Sequence, residues 1–285
     1  MNKLTLILAV GLSISLGLQS CSQNQTPTTE IDNKLQGKLT LTGSSTVAPL
    51  ASEIGKSFET QHPGVRIDVQ TGGSSRGLAD ATQELADIGM VSRALTAEEE
   101  KNLFSFTIAR DGIGIIVNEN NPIESLSDRE IVEIYTGKIS NWQEVSGNNA
   151  PITVVNKAEG RSTLELFLKY FDLENSAIKP DTIIGDNQQG IKTVSGNKNA
   201  IGYVSIGAAE YEIEQNVPIK LLPVGGIEAT TETVQDSSFP LSRPLNLVTK
   251  NKPSGLTKEF IEFAQSTEVY DLVKEQNFVP VETAN

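Results

Sequence analysis

Four stretches of this 285-residue chain place glycines and small hydroxyl side chains where a strand gives way to a helix. They are Gly43-Ser44-Ser45-Thr46, Thr71-Gly72-Gly73-Ser74-Ser75-Arg76-Gly77, Ser92-Arg93, and Glu159-Gly160-Arg161-Ser162-Thr163. Such a join has a chemistry of its own. The first turn of a helix leaves backbone N–H groups unpaired and carries about half a positive charge, so hydroxyls there make an oxyanion receptor without a charged side chain. Arg161 would add a planar fork of donors suited to two oxygens at once. Each residue also has a purely structural role open to it. Ser45 or Thr46 can cap the helix that follows, Ser162 and Glu165 have the spacing of a capping box, and Arg161 can be a solvated surface side chain.

Hydrolytic chemistry is less well provided for. A Ser44 or Ser45 nucleophile needs a base, and the one histidine, His62, stands in Gln61-His62-Pro63-Gly64 at a helix end, a place that suits a solvated turn. Asp87, Asp111 and Glu159 could converge as a two-carboxylate or metal phosphatase, but turn capping and the orientation of arginines are their expected roles. Cys21 is the only cysteine, which excludes a disulfide within the chain and a metal site of several thiolates. No catalytic residue, metal or cofactor is therefore expected. Asp and Glu number 36 against 23 Lys and Arg, a net charge of −13. Nucleic acid is thus not an expected partner, since its phosphates are bound by basic side chains. A small anion would have to be held by local dipoles and hydrogen bonds rather than by the overall field.

The elements that must position these turns follow from periodicity. Lys3 precedes an uncharged apolar run from Leu4 to Leu18 and then Leu18-Gln19-Ser20-Cys21, so residues 1–20 have the layout of a secretory signal. Residues 21–36, rich in Asn, Gln, Thr and Pro, are expected to be a flexible tether. Beyond it, Lys38 to Leu41 alternates as a strand, and Val47, Leu50, Ala51, Ile54 and Phe58 recur at helical spacing. Val65 to Val69 is a second strand, followed by a helix with Leu78, Ala81 and Leu85 inward. A third strand-to-helix join follows at Asp87 to Arg93, with Thr96 and Glu99 as a capping box. Three such units predict a parallel α/β sheet with all three hydroxyl turns at its carboxyl edge.

The buried run Ile113 to Val117 is expected to cross into a second domain, which opens on a Ser127-to-Glu130 capping box. It continues through a strand at Ile152 to Val155 and a helix carrying Leu164, Phe167, Leu168 and Phe171. Strands at Ala200 to Val204 and Ile219 to Val224 follow. The segment Phe239 to Leu245 reads as the return crossing, followed by helices built on Leu256, Phe260, Ile261 and Ala264 and on Val269, Leu272 and Val273. The expected division is thus 37–112 with 240–285 as one α/β domain and 113–239 as the other.

Gly43-Ser44-Ser45-Thr46-Val47-Ala48-Pro49, Thr71 to Gly77, Ala86 to Arg93, Glu159 to Thr163, Ala200-Ile201-Gly202-Tyr203 and Pro240-Leu241-Ser242-Arg243-Pro244 together resemble the phosphate-binding proteins of bacterial phosphate ABC transporters. The resemblance spans about residues 37 to 280 in order. It implies a type 2 periplasmic-binding-protein fold, two α/β domains joined by two crossing hinge strands, with inorganic phosphate enclosed in the cleft and delivered to membrane permease subunits. Carried over position by position, the phosphate-holding residues are Ser45 and Thr46, Ser74, Ser92, and Arg161, Ser162 and Thr163. The signal resembles that of a bacterial lipoprotein, which implies cleavage before Cys21, acylation of its thiol, and an extracytoplasmic monomer anchored to the membrane by lipid. A phosphate sensor or scavenger without a permease is the alternative reading, and a phosphatase a more remote one. Many relatives have aspartate where Ser92 stands, a small residue followed by glycine where Arg161 and Ser162 stand, and their binding arginine where Lys157 stands. Arg161 is therefore expected to supply the bidentate contact. A serine at 92 predicts sulfate as a weaker competitor and a phosphate affinity that varies little between about pH 5 and 8.5.

Overall fold

The computed structural model describes residues 35–281, which lie in one compact unit. The signal segment, Cys21 and most of the tether fall outside the described residues. From the amino end the chain forms β1 (Gln36–Gly43), α1 (Ala48–Gln61), β2 (Gly64–Thr71), α2 (Ser74–Thr82) and β3 (Ile88–Val91). β1 pairs in parallel with both β2 and β3, so the turns after Gly43, Thr71 and Val91 share one edge, as the βα pattern predicts. α1 buries Leu50, Ala51, Ile54 and Phe58 at the expected spacing. His62 ends that helix with its ring against Phe58, at the opposite end from the Ser44 turn.

Two details depart from expectation. Leu85 is 69% exposed because α2 stops at Thr82 and Glu84 takes a positive φ of 56°. The helix expected after Thr96 does not form. Its capping-box bonds exist, Glu99 N to Thr96 Oγ1 at 3.3 Å and Thr96 N to Glu99 Oε2 at 2.8 Å, yet the stretch Ala97 to Asn102 is shorter than two helical turns and remains turn.

β4 (Phe104–Asn118) is the longest strand and the axis of the sheet. Its first half pairs with β9 (Ser242–Thr249) and its second with β7 (Ala200–Ser205) and β8 (Ile219–Leu222), all antiparallel. Between them lie α3 (Asp128–Tyr135), β5 (Thr153–Lys157), α4 (Ser162–Tyr170), β6 (Thr182–Ile184), α5 (Asn187–Ser195), α6 (Ile206–Glu214) and α7 (Thr231–Gln235). After β9 come α8 (Gly255–Ala264), α9 (Tyr270–Glu275) and β10 (Val279–Pro280). The sheet order is β2-β1-β3-β9-β4-β7-β5-β6, with β8 and β10 also on β4. This mixed α/β sheet is the type 2 binding-protein arrangement. The two expected crossing segments, Gly112 to Ile113 and Leu241 to Ser242, lie side by side. Gly112 faces Ser242 there, and Ile113 N donates to Leu241 O at 3.1 Å.

The apolar interior forms separate clusters, two of them large. One cluster joins Leu41, Leu50, Ile54 and Phe58 to Leu245, Phe260 and Phe278. Another joins Ile115, Ile131, Trp142, Phe167, Tyr203 and Leu241. α3 begins with a complete capping box between Ser127 and Glu130 and buries Ile131, Ile134 and Tyr135. Among the described residues no helix is long and apolar enough to cross a membrane.

Candidate functional site

The first turn is forced tight. Gly43 has φ +131°, and a Cβ there would lie 2.4 Å from Met90 O, so only glycine fits. Ser44 N donates to that same Met90 O at 2.8 Å. Ser44 Oγ then accepts from Thr46 N and Val47 N at 3.2 and 3.3 Å, so Ser44 closes the turn that leads into α1, and neither Ser45 nor Thr46 caps the helix, whose N-cap is Val47. Gly43 O accepts from both Gly72 N and Gly73 N at 2.9 Å, which ties the first turn to the second. Ser74 Oγ accepts from Ser92 N at 3.2 Å, which ties the second to the third. The three hydroxyl turns form one hydrogen-bonded rim.

Arg243, which sequence reasoning placed in a motif but not in the site, stands at the centre. It faces Asp111 across the β4–β9 pairing, both residues 2% exposed. Its Nε and Nη2 donate to Asp111 Oδ2 at 3.1 and 2.8 Å. Its outer donors reach Thr163 Oγ1 at 2.9 Å, Ser92 Oγ at 3.4 Å and Thr46 Oγ1 at 3.3 Å. Thr46, Ser92 and Thr163 thus meet on one guanidinium. Each hydroxyl accepts from a cationic donor, and so keeps its own proton to give to an incoming oxygen. Arg243 is set opposite Asp111 by the register of β4 on β9, which the sequence around either residue does not encode.

Lys157, at the end of β5, is 3% exposed and donates through Nζ to Asn187 Oδ1 at 3.0 Å. Asn187 Nδ2 donates in turn to Thr46 Oγ1 at 3.1 Å. Burial first, and then the positive Arg243, pulls the Lys157 amine down to about 7; Asp186 opposes this, and Arg161 adds a smaller push in the same direction as burial. Asn187 also escaped sequence reasoning. The signal lay in Asp186, which caps α5 by accepting from Gln189 N, followed by Ile191 and Val194 on the inner face.

Arg161 precedes α4 and runs past the second turn. A Cβ on Gly73 would meet Arg161 Nη1 at 2.4 Å, and one on Gly185 would lie 3.5 Å from Nη2. Arg161 Nε and Ser162 Oγ are buried without a hydrogen-bond partner. The Ser162 and Glu165 capping box does not form. Glu165 instead accepts from Arg93 Nε at 2.6 Å and from Ser75 Oγ at 3.4 Å, and Gly160 O accepts from Ser75 N at 3.2 Å. Arg93 also grips Glu99 with two bonds, 2.8 and 2.9 Å long, which hold the Glu99 carboxyl down at about 2.

Of the residues expected to hold a ligand, Thr46, Ser92 and Thr163 converge on Arg243, with Ser74 behind Ser92. Arg161 and Ser162 present unpartnered donors. Ser45 is partly buried and lines, with Thr46 and Asn187, an adjoining cavity of about 530 Å³. Asp87 accepts from Thr40 N at 2.7 Å, Glu159 from Asn175 Nδ2 at 2.9 Å, and Asp111 orients Arg243, so the three carboxylates do not converge. Among the described residues no cluster of three His, Cys, Asp or Glu could hold a metal ion.

Comparison with known proteins finds a family model, the PBP superfamily domain, matching residues 28–268. The phosphate-binding protein PstS of Bacillus subtilis is 28% identical over 98% of this chain and 94% of its own length. A structure from Clostridium perfringens, assigned to phosphate ABC transport as a substrate-binding protein and solved with bound phosphate, is 34% identical. It superposes with a TM-score of 0.80 over 86% of this chain and all of the other. An ABC-type phosphate transport receptor from Vibrio cholerae is 29% identical, with a TM-score of 0.70 over 85% of this chain and all of the receptor.

Proposed function

The chain belongs to the PBP superfamily, among the phosphate-binding proteins of bacterial phosphate ABC transporters, and we propose on that footing that it captures inorganic phosphate between its two halves and delivers it to a permease. The observation that carries the reading is the charge of the buried cluster. Lys157, Arg161 and Arg243 gather there with one directly paired carboxylate, Asp111, while Arg161 Nε and Ser162 Oγ lack acceptors. An oxyanion supplies what that cluster lacks. Five or six hydrogen bonds to it, each contributing about 1.5 to 3 kcal/mol, offset an association cost of about 4 to 15 kcal/mol. Micromolar affinity, about −8 kcal/mol, is within reach. The ligand shell in this reading is Ser45, Thr46, Ser74, Ser92, Arg161, Ser162 and Thr163, extended by Arg243, Lys157 and Asn187.

The moving parts are residues 37–112 with 240–285 against 113–239, and the segregated apolar clusters on either side of the Gly112 and Leu241 crossings support this. Contacts such as Arg93 to Glu165 and Asn187 to Thr46 bridge the two parts. They would be exchanged on opening, a change a permease can read. Binding and release, without catalysis, suffice for this role. Titration calorimetry of the chain with phosphate and with sulfate tests it. Saturable heat with phosphate at micromolar concentration is expected, and no heat with phosphate would overturn it.

Ser92 sets the discrimination. Its hydroxyl accepts from Arg243 and therefore donates to the ligand, which a fully ionised sulfate tolerates. Sulfate should compete at higher concentration, and Ser92→Asp should widen the phosphate preference by placing a carboxylate against any unprotonated oxygen. Competition calorimetry in which both proteins exclude sulfate equally would refute this role.

The chain is held at the membrane, in this reading, by acylation of Cys21 after removal of residues 1–20. Cys21→Ala should move it from the membrane to the soluble fraction. Recovery of the unchanged chain, Met1 included, in the soluble fraction of wild-type cells would count against the anchor.

A further inference from the structure

Among the groups that face the proposed ligand place, one is built to change charge. Lys157 enters from the end of β5 and is 3% exposed, but no carboxylate lies within ion-pair distance of its Nζ among the described residues. Its one side-chain partner is the neutral Asn187 carbonyl oxygen at 3.0 Å, which is also within 3.4 Å of Ser205 N. The charged groups around it are unevenly set. From α4 comes Arg161 and from β9 Arg243, both positive. Asp111 on β4 is committed to Arg243 at 2.8 Å, and Asp186 spends an oxygen capping α5 at 2.8 Å from Gln189 N. From β7 comes the Tyr203 hydroxyl, which is held protonated by burial and accepts from Lys157 N at 3.3 Å. An ammonium at this place is desolvated and faces two other cations, which is the environment that strips a proton from a lysine.

The same geometry distinguishes Lys157 from the other cations in the site. Thr46 accepts from both Arg243 and Asn187 and is left to donate inward, and Ser92 and Thr163 each accept from Arg243 and keep a proton to give. Arg161 and Arg243 are always donors. An uncharged Lys157 amine, in contrast, donates one N–H to Asn187 and keeps a nitrogen lone pair, the feature that a ligand bearing its own O–H requires.

We infer, resting on the phosphate reading above, that Lys157 reads the ligand's charge: its amine becomes an ammonium as the anion is captured, the lone pair taking a proton from H₂PO₄⁻ or, when HPO₄²⁻ enters, from the buffer. In the first case the ligand's O–H bond breaks and HPO₄²⁻ remains beside the new N–H. In the second the ligand is unchanged and the buffer loses the proton. Either way the site gains one positive charge only when an anion is there to face it. Lys157 thereby matches the charge of the site to the presence of the captured anion.

The sign of the pH dependence follows. The amine sits near 7 before capture, lowered by burial, and the adjacent anion raises it. Affinity is therefore full below about pH 7 and falls as pH rises, by about tenfold per unit, until the raised value in the complex is reached. This replaces the nearly flat profile expected from Ser92 alone.

The test is titration of the intact protein with inorganic phosphate at pH 6, 7 and 8, each in two buffers of different ionisation enthalpy, which counts the protons taken up. Lys157→Arg, cationic throughout, carries only the ligand's own proton changes. At pH 8 the wild type should take up about 0.9 proton more than Lys157→Arg, and at pH 6 the two should agree to within about 0.1. Lys157→Gln, neutral throughout and checked for folding by its thermal transition, should bind more weakly and also lack the additional uptake. It serves as the comparison if the arginine is too large for the site. Equal proton counts at pH 8 in wild type and variant, with phosphate still bound by both, overturn the inference and leave the phosphate reading standing. Absence of any phosphate heat in the wild type at every pH overturns that reading and the inference with it.

Discussion

Replacing Arg243 by methionine is expected to lower stability by about 3 to 5 kcal/mol and to abolish phosphate binding detectable by calorimetry. Both side chains of the Arg243–Asp111 pair are 1% exposed, and the two strands that carry them pair side by side at the proposed crossings between the halves. Without the guanidinium the Asp111 carboxylate stays buried and keeps only Gly207 N as a donor, at 3.2 Å. That explains the stability loss. The binding loss has a separate cause, because the same guanidinium fixes the hydroxyls of Thr46, Ser92 and Thr163 in their donating orientation. A second substitution separates the two effects. Arg243→Met with Asp111→Asn removes the stranded charge and retains an acceptor for Gly207 N, so most of the stability should return while binding does not. Urea unfolding and calorimetry on the single and double variants provide the measurements. A single variant as stable as the wild type, or a double variant with wild-type affinity, would contradict this account.

Much of the fold was legible because its strands and helices differ in period. The α1 stripe and the capping box before α3 are local signals, and those elements formed where the signal lay, whereas the buried run Ile113 to Val117 marked only the later part of β4, which begins at Phe104. The failures are also local. Thr96 and Glu99 make both capping-box bonds, but Phe104 already belongs to β4, which leaves no room for a helix. β6, α5 and α6 carry short or weakly periodic apolar patterns, and their places are set by packing on β5 and β7 rather than by propensity.

The site was half legible. Glycine and hydroxyl turns mark helix starts in any sequence, and that pattern led to Thr46, Ser74, Ser92, Arg161, Ser162 and Thr163. Arg243 and Asn187 sit in segments without such a signature. Their importance comes from register, Arg243 opposite Asp111, and from the reach of α5 to Thr46, neither of which neighbouring residues encode. Ser44 shows the converse. Three adjacent hydroxyls were equivalent as types, and only the chain's path decided that Ser44 would close the turn, which left Thr46 for the cluster and Ser45 for the adjoining cavity.

Arg161→Ala should be the most damaging change to phosphate affinity that leaves the fold intact. In contrast with Arg243, the Arg161 guanidinium has no hydrogen-bond acceptor among the described residues, and its Nε is buried without one. The chain nonetheless reserves space for it, since Gly73 at φ +94° leaves Nη1 the place a Cβ would occupy and Gly185 lies beside Nη2. A donor fork held in position and left unsatisfied contributes little to stability, so urea unfolding of the variant should match the wild type to within about 0.5 kcal/mol. Binding is another matter. Loss of the charged partner of a desolvated anion costs about 2 to 5 kcal/mol, or about 30-fold to 4,000-fold in Kd. Arg161→Lys should fall between, because it keeps the charge and loses the second parallel hydrogen bond. The ordering of wild type, lysine and alanine in affinity, at constant stability, is what a ligand contact predicts. A surface arginine would give three equal affinities, and that result would remove Arg161 from the site.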